Sequence, residues 1–484
     1  MKKKPSVKVN YLYSMLYSIL SMILPLITSP YISRVIGSTG LGIYSYNYTV
    51  VTYFMQFASL GIGFYGNRSI AKVRDNREKM NKVFSEIFTM QIITSFIMIM
   101  CYLLYTLLLV KDNIDIALLM LFYVITPAFS IGWFFNGLEN FKITVTRNIV
   151  IKALTVFAIF VFVKTSEDLW IYVLIMSLGY FLSEGYLIII AHRFVSYKVP
   201  KLKDVVPHFK PNVVLFIPIF AVSIYRSMDK LMLKWIVDYD EVGYYSNAEK
   251  IINVLLAAIT ALGQVMLPKM TYLLARGDNR NFVELNRKSI KIVSILSIAM
   301  AFGIMGVADR FVPLFFGNGY ELCIPILKAL GLNIILLSWG NTIKAEFLIP
   351  KEEDYLYIKS VGVGAVVNLC INILLIPSLH SIGAVIGTIS AELISLIVIF
   401  VGIKSEFPVL KMIKENMPYV VIGFIMLIAV KTLNILKLKT IYVLLIQIVF
   451  GGSTYIILML IFWHIINDPL KNEILKMLNK FKRK

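Results

Sequence analysis

Apolar stretches of roughly 20 residues, the length a helix needs to cross a hydrocarbon core, recur along nearly the whole chain with short polar gaps between them. They are too long and too uniformly apolar for barrel strands. Inside lipid every backbone N–H and C=O must be paired within the protein, so the stretches are predicted to be helices. Fourteen spans follow from apolar length, at residues 10–36, 41–66, 83–110, 116–138, 148–164, 170–192, 213–237, 244–274, 288–316, 323–349, 357–377, 382–403, 416–435 and 441–464. The expected fold class is an all-α polytopic membrane protein. With 58% hydrophobic and only 16% charged residues, against roughly a quarter charged in soluble domains, the chain could not cover itself with an aqueous surface.

Charge then orients the spans, because cytoplasmic loops retain Lys and Arg. Alternate gaps, with the span ends beside them, hold 33 cations against 6 in the remaining gaps and their span ends. The basic set runs from Lys2, Lys3 and Lys4 through gaps near 67–82, 193–212 and 275–287 to a C-terminal cluster ending Arg483-Lys484. Both termini are therefore expected in the cytoplasm, and the N-terminal apolar segment reads as a retained first helix. The net charge of +20 is mostly topological, and no nucleic-acid-binding module accompanies it. After Trp463, Leu470, Ile474, Met477, Leu478 and Phe481 fall at helical spacing among lysines. This tail either lies along an anionic leaflet or is a charged end that only fixes topology. Cys101, Cys323 and Cys370 sit within apolar runs without metal-ligand spacing and are expected to be packing residues.

Segments about two hundred residues apart resemble each other. Gly42-Ile-Tyr-Ser-Tyr-Asn47 opens the second span and Gly243-Tyr-Tyr-Ser-Asn-Ala248 the eighth; Asp75-Asn-Arg77 precedes the third and Asp278-Asn-Arg280 the ninth. Six spans separate the copies, so both halves point the same way, a parallel repeat with a substrate site expected at mid-membrane between the lobes. The expected organisation is an N-lobe of helices 1–6 (residues 1–192), a cytoplasmic linker (193–212), a C-lobe of helices 7–12 (213–403), helices 13 and 14 (404–464) and a basic amphipathic tail (465–484).

Charges inside spans are costly, about 3 kcal/mol at mid-helix even on the lenient scale, and so mark function by default. The densest group is Arg226, Asp229, Lys230 and Lys234 on span seven, followed by Glu249 and Lys250 on span eight. Positions 226, 229 or 230, and 234 share one helical stripe, expected to face a cationic cavity between the lobes. An internal pair of Arg226 with Asp229 that merely locks span seven is the competing reading. Lys152 and Asn47 are further candidate substrate contacts, and Glu184 and Glu392 candidate binders of a coupling ion. Glu139, Arg147 and Glu346, near span ends, read as interfacial. Pro25 and Pro30 mark span one as a bent, mobile helix. His192, His208, His380 and His464 are scattered, no metalloprotease or phosphate-loop motif occurs, and the loops opposite the basic gaps are too short for a catalytic site. Neither an enzyme, a cofactor nor a bound metal is expected.

The run Leu24-Pro25-Leu-Ile-Thr-Ser-Pro30-Tyr-Ile-Ser-Arg34-Val-Ile-Gly37 with Gly40-Leu-Gly-Ile-Tyr44-Ser resembles the opening of the bacterial polysaccharide transporter family. Met228-Asp229-Lys230-Leu-Met-Leu, Val242-Gly-Tyr-Tyr-Ser-Asn-Ala-Glu249-Lys250-Ile and Val265-Met-Leu-Pro268 extend the likeness. These are Wzx-type oligosaccharide repeat-unit flippases of the multidrug/oligosaccharidyl-lipid/polysaccharide exporter superfamily. The resemblance implies fourteen helices in two lobes, a cationic cavity, and export of an undecaprenyl-pyrophosphate-linked oligosaccharide between leaflets of the bacterial cytoplasmic membrane. It carries Asp229, Lys230, Glu249 and Lys250 over as motif positions. Expected partners are that lipid-linked oligosaccharide, membrane lipids, a polysaccharide polymerase with glycosyltransferases, and H+ or Na+ as coupling ion. A peptidoglycan-precursor flippase, a multidrug antiporter and a membrane-embedded polymerase stay open as alternatives; the excess of Lys and Arg within the spans favours the first reading.

Overall fold

The computed structural model describes residues 7–468, except the side chains of 7–23 and of 261, 262, 264 and 265. The expected amphipathic tail and the first lysines lie outside the described residues. No strand occurs among the described residues. The helices are α1 (Val7–Ser59), α2 (Ile62–Val73), α3 (Arg77–Leu109), α4 (Ile114–Leu119), α5 (Leu121–Ile125), α6 (Gly132–Gly137), α7 (Phe141–Phe162) and α8 (Leu169–Ala191). They continue with α9 (Leu202–Val205), α10 (Phe209–Ile236), α11 (Tyr239–Ala275), α12 (Asn279–Phe316), α13 (Cys323–Ile343), α14 (Asp354–Ile403), α15 (Val409–Thr432) and α16 (Thr440–Ile465).

Among the described residues ten helical stretches are long and apolar enough to cross a membrane. One of them, α14, is two arms broken at His380 (φ 51°), and α1 is likewise two arms broken at Gly37 (φ 77°). Counting every arm together with α11 reaches the fourteen spans expected. The break in α1 falls in the gap expected between the first and second spans. Pro25 and Pro30 remain helical, whereas Gly37, lacking a Cβ, takes the positive φ that turns the chain.

The fourth expected span is not one helix. It is divided into α4, α5, a 3-10 turn at Thr126–Phe129 and α6, because Pro127 cannot continue the hydrogen-bond ladder. Side-chain bonds from α3 hold this turn. Gln91 donates Nε2 to the carbonyl of Pro127, which also accepts the Ser130 N–H, and, at 3.0 Å, to that of Ser130, while its Oε1 accepts the Trp133 indole N–H at 2.8 Å. A buried amide thus satisfies polar groups where the helix is interrupted.

The chain divides into two compact units, residues 1–246 and 247–484, which places α10 with the first. In the first, one apolar cluster gathers Ile32, Val51, Tyr102, Tyr123 and Tyr172, and a second gathers Ile62, Phe84, Trp133, Phe134 and Leu187. In the second, α12 is central and packs on α13, α15 and α16. The two helices expected beyond the lobes are therefore docked on α12, with Gly423 against Phe302 and Gly306 against Val430.

Each unit has two polar ends. In the first unit the basic gaps meet at one end, through Arg74 with Glu139 at 2.7 Å and the backbone N–H of Lys198 with Ser85 at 3.1 Å. In the second they meet through Lys351 with Glu406, Arg287 with Glu415 and Lys291 with Asp468. The opposite ends are held by Ser38 and Thr39 donating to Asp240 at 2.5 and 2.8 Å, and by Lys328 with Asp309 at 2.5 Å.

Both copies of Asp-Asn-Arg start helices. Asn76 caps α3 through the Lys79 N–H, and Asp278, one motif position earlier, caps α12 through that of Asn281. Fourteen residues beyond each motif's arginine stands the acceptor of a tryptophan indole: Gln91 for Trp133 and Ser294 for Trp339, both at 2.8 Å. The other repeated segments pack on each other. Gly42 lies against the Tyr239 carbonyl and the backbone of Gly243, and Gly243 against the Ser38 carbonyl. A Cβ at either would overlap a backbone oxygen. Gly42→Ala and Gly243→Ala should each lower stability by about 1–3 kcal/mol through overpacking, read as a reduced thermal unfolding temperature in detergent. Gly63→Ala, exposed with no neighbour within 4 Å, should be neutral or slightly stabilising.

Candidate functional site

The second arm of α1 runs antiparallel to α10. Along this pair Tyr46 accepts from the Trp235 indole at 3.2 Å, Tyr53 bonds Ser227, Gln56 donates to Ser223 at 2.6 Å, and Phe57 packs on Phe216 and Phe220. The opposite side of α10 is marked by Val214 and Ile217, 60% and 61% exposed, the surface expected to meet lipid. At 100° per residue Arg226 and Lys230 stand roughly 120° and 160° around the axis from Val214. The charged stripe is therefore turned away from the apolar face.

Within that stripe the residues have different surroundings. Arg226 is exposed, and Lys230 is half-buried. Asp229 is buried, and its Oδ2 accepts from the Tyr245 hydroxyl at 2.7 Å, which ties α10 to the start of α11. Lys234 lies at the end of the helix, 4.0 Å from Asp112 and 4.0 Å from the centre of the Tyr239 ring. It is held by a surface carboxylate and a cation–π contact. Asn47 is buried and donates to its own helix, to the Ile43 carbonyl at 2.9 Å. Glu249 and Lys250 fall in the second unit, both half-buried, with Lys250 Nζ 3.5 Å from Asn247 Oδ1.

The two candidate coupling carboxylates are buried. Glu184 on α8 accepts from Arg147 on α7 at 2.9 Å and from Ser130 at 3.0 Å. Arg147 also donates through Nε and Nη2 to Asn148 Oδ1, which accepts from Ser183 as well. The interfacial reading of Arg147 is thereby corrected: its side chain is 4% exposed and belongs to a polar network inside the first unit. Lys152, half-buried, stands one turn along α7 from Asn148. Glu392 is buried in the second arm of α14, beside Ala391, whose carbonyl faces Gly364 of the first arm.

Glu346 also departs from its interfacial reading. It sits in a π-helical turn, Lys344–Leu348, fully buried, with Oε1 accepting from Ser289 at 2.9 Å and Oε2 without a partner. π turns concentrate at functional sites, but no sequence signal distinguishes this one. Glu139, by contrast, stays at the surface with Arg74. Of the cysteines only Cys323 is buried; Cys101 and Cys370 are exposed. No cluster of three His, Cys, Asp or Glu side chains suited to a metal occurs among the described residues.

Helices of this length and apolarity, with a buried ion pair between two of them, define a multi-pass membrane protein. The family model for polysaccharide biosynthesis proteins matches residues 7–274, and the chain belongs to that family. It is 23% identical over 408 residues to a putative O-antigen transporter of Escherichia coli K12, covering 82% of this chain and 97% of that one. It is 22% identical over 288 residues to the probable low-salt glycan biosynthesis flippase Agl15 of Haloferax volcanii, covering 58% and 59%. Its fold is similar to that of the lipid II flippase MurJ in an inward closed conformation, with a TM-score of 0.69, 17% identity, and coverage of 95% of this chain and all of that one. An inward-facing multidrug resistance transporter of the MATE family matches with a TM-score of 0.64 at 14% identity over 83% of this chain and 98% of its own. The relatives are named as transporters and flippases, not as enzymes.

Removing one member of a buried ion pair leaves the other charge uncompensated, at a cost of about 3–5 kcal/mol. Arg147→Ala should therefore destabilise the protein strongly, and Arg147→Met combined with Glu184→Gln should recover much of the loss. Thermal unfolding of the single and double variants measures the coupling; additive losses would assign the pair no mutual dependence.

Proposed function

We propose that this protein is a flippase for undecaprenyl-pyrophosphate-linked oligosaccharide repeat units, carrying them from the inner to the outer leaflet for capsule, exopolysaccharide or O-antigen synthesis. The observation that carries this reading is the stripe of α10, with Arg226 and Lys230 turned from the apolar face. Cations held away from lipid suit an anionic pyrophosphate, which they bind by charge and hydrogen bonding. A cationic drug would need an acidic site instead. The names of the O-antigen transporter and the glycan flippase support a glycan substrate; the likeness to the lipid II flippase concerns the fold.

Transport proceeds by alternating access through a cationic cavity to which Arg226, Lys230 and Lys250 contribute, with Lys152, Lys234 and Asn47 as outer candidates. Asp229 and Glu249 balance that charge. Outward movement of an anion across an inside-negative membrane gains about 2.3 kcal/mol per charge per 100 mV, and H+ or Na+ exchange at Glu184 or Glu392 would add to it. The polymerase and glycosyltransferases of the same pathway are its functional partners. The basic ends of both units face the cytoplasm of a bacterial cell, as the distribution of Lys and Arg requires.

Arg226→Ala and Lys230→Ala should each slow flipping in proteoliposomes, and the double variant should slow it roughly tenfold or more, the loss expected for a charge-assisted hydrogen bond, at unchanged membrane abundance. Wild-type flipping by the double variant would remove the two cations from the mechanism. Orientation is checked separately: single cysteines placed at 67–82, 193–212 and 275–287 should resist an impermeant thiol reagent added to intact cells. Labelling at all three would reverse the topology.

A further inference from the structure

A row of tyrosines crosses the first unit at a depth where phenols are unusual. Tyr48 on α1 meets Tyr123 on α5 edge-on at 5.2 Å, and Tyr123 meets Tyr180 on α8 at 5.5 Å. Tyr44 braces the row from behind: it stacks on Tyr48 at 5.8 Å, its hydroxyl lies 3.1 Å from that of Tyr123, and its ring packs on Tyr172 at 4.9 Å. Tyr44, Tyr123 and Tyr172 are buried, whereas Tyr48 and Tyr180 are each 40% exposed.

Tyr48 lies eleven residues beyond the Gly37 break, and Tyr180 eleven beyond Leu169, where α8 begins. Each is thus roughly 16 Å along its helix, near the middle of a hydrocarbon core about 30 Å thick. Tyrosines that face lipid gather at the two membrane interfaces, where the hydroxyl reaches water. These two do not face lipid. On α8 the exposed apolar side runs through Leu182 and Ile189, and Tyr180 stands roughly 160° and 180° around the axis from them. On α1 Tyr48 is the only exposed residue between Gly40 and Gln56. α10 runs antiparallel beside this arm, with Trp235 bonded to Tyr46 and Ser223 to Gln56, a register that brings position 230 to the level of Tyr48.

We infer that Tyr48 and Tyr180, joined through the buried Tyr123, form a saccharide-binding platform beside Lys230, on which sugar rings of the lipid-linked glycan stack while the cation holds the adjoining phosphate. This rests on the flippase reading and assigns the glycan its own subsite. Aromatic faces offer apolar contact to the C–H faces of a sugar, and phenol hydroxyls offer hydrogen bonds at the ring edges. Stacking of this kind tolerates different sugars, since it reads shape and not one hydroxyl pattern. An organic cation would also be drawn to aromatic faces, but Lys230 beside Tyr48 opposes it. The buried Tyr44 and Tyr172 fix the platform's rings, so little rotamer freedom is lost on binding.

The test measures binding of two probes to the purified full-length protein: undecaprenyl pyrophosphate carrying the oligosaccharide extracted from cells that express the protein, and bare undecaprenyl pyrophosphate. Tyr48→Ala combined with Tyr180→Ala should weaken the first about tenfold and leave the second unchanged, whereas Lys230→Ala should weaken both alike. Tyr48→Phe with Tyr180→Phe keeps the rings and should keep most of the affinity. If the alanine pair fails to fold, a leucine pair, which fills the volume without a ring, should show the same split. Equal loss for both probes, or none for either, would overturn the platform while leaving a wild-type protein that flips the glycan intact as a flippase. Wild-type protein that neither binds nor flips the oligosaccharide lipid would overturn the flippase reading and the platform with it.

Discussion

The absence of water in the hydrocarbon core governs the rest of this structure. A backbone amide there has no solvent to fall back on, so the chain is helical wherever it crosses and must compensate wherever it stops being helical. Gln91 shows what compensation requires. One side-chain amide serves two carbonyls of the Pro127 turn and accepts an indole N–H, so all three of its bonds fall within one buried site.

The same constraint sorts the charges. Those at the two ends of each unit pair in reach of water and contribute little beyond tying loops together. Those within the spans need partners: Arg147 and Glu184 share Asn148, Ser130 and Ser183, while Asp229 takes the Tyr245 hydroxyl. Glu346 stands apart with one buried oxygen unmet.

Close packing joins architecture to function at α1. Its second arm carries Gly42, which lets α11 approach at backbone distance, then Tyr48 at the level of Lys230, then Gln56 bonded to Ser223. One helix therefore anchors the repeat contact, the polar stripe and the tyrosine row, so a displacement of α10 along α1 would alter all three together. On the flippase reading proposed above, such coupling would carry a change of state to the substrate groups through rigid elements.

Span number and helical character were legible in the sequence because each depends on composition summed over many residues. The charged stripe of α10 was legible too, since helical periodicity places 226, 230 and 234 on one face whatever packs against it. The short Asp-Asn-Arg and Gly-x-Tyr-Ser matches pointed to the repeat, and the paired Trp133 and Trp339 bonds gave it a physical counterpart. Partners were beyond the sequence. Arg147 and Glu346 looked interfacial because their distance along the chain from a span end is short; their burial depends on which other helices cover them. The broken fourth span hides behind uniform hydrophobicity, and its link to Gln91 joins positions nearly forty residues apart. The tyrosine row joins three helices whose aromatic residues look no different, one by one, from those of any apolar span. Sequence periodicity determined which face of each helix was polar; tertiary packing decided what that face met, because contact between helices depends on crossing geometry that no single segment encodes.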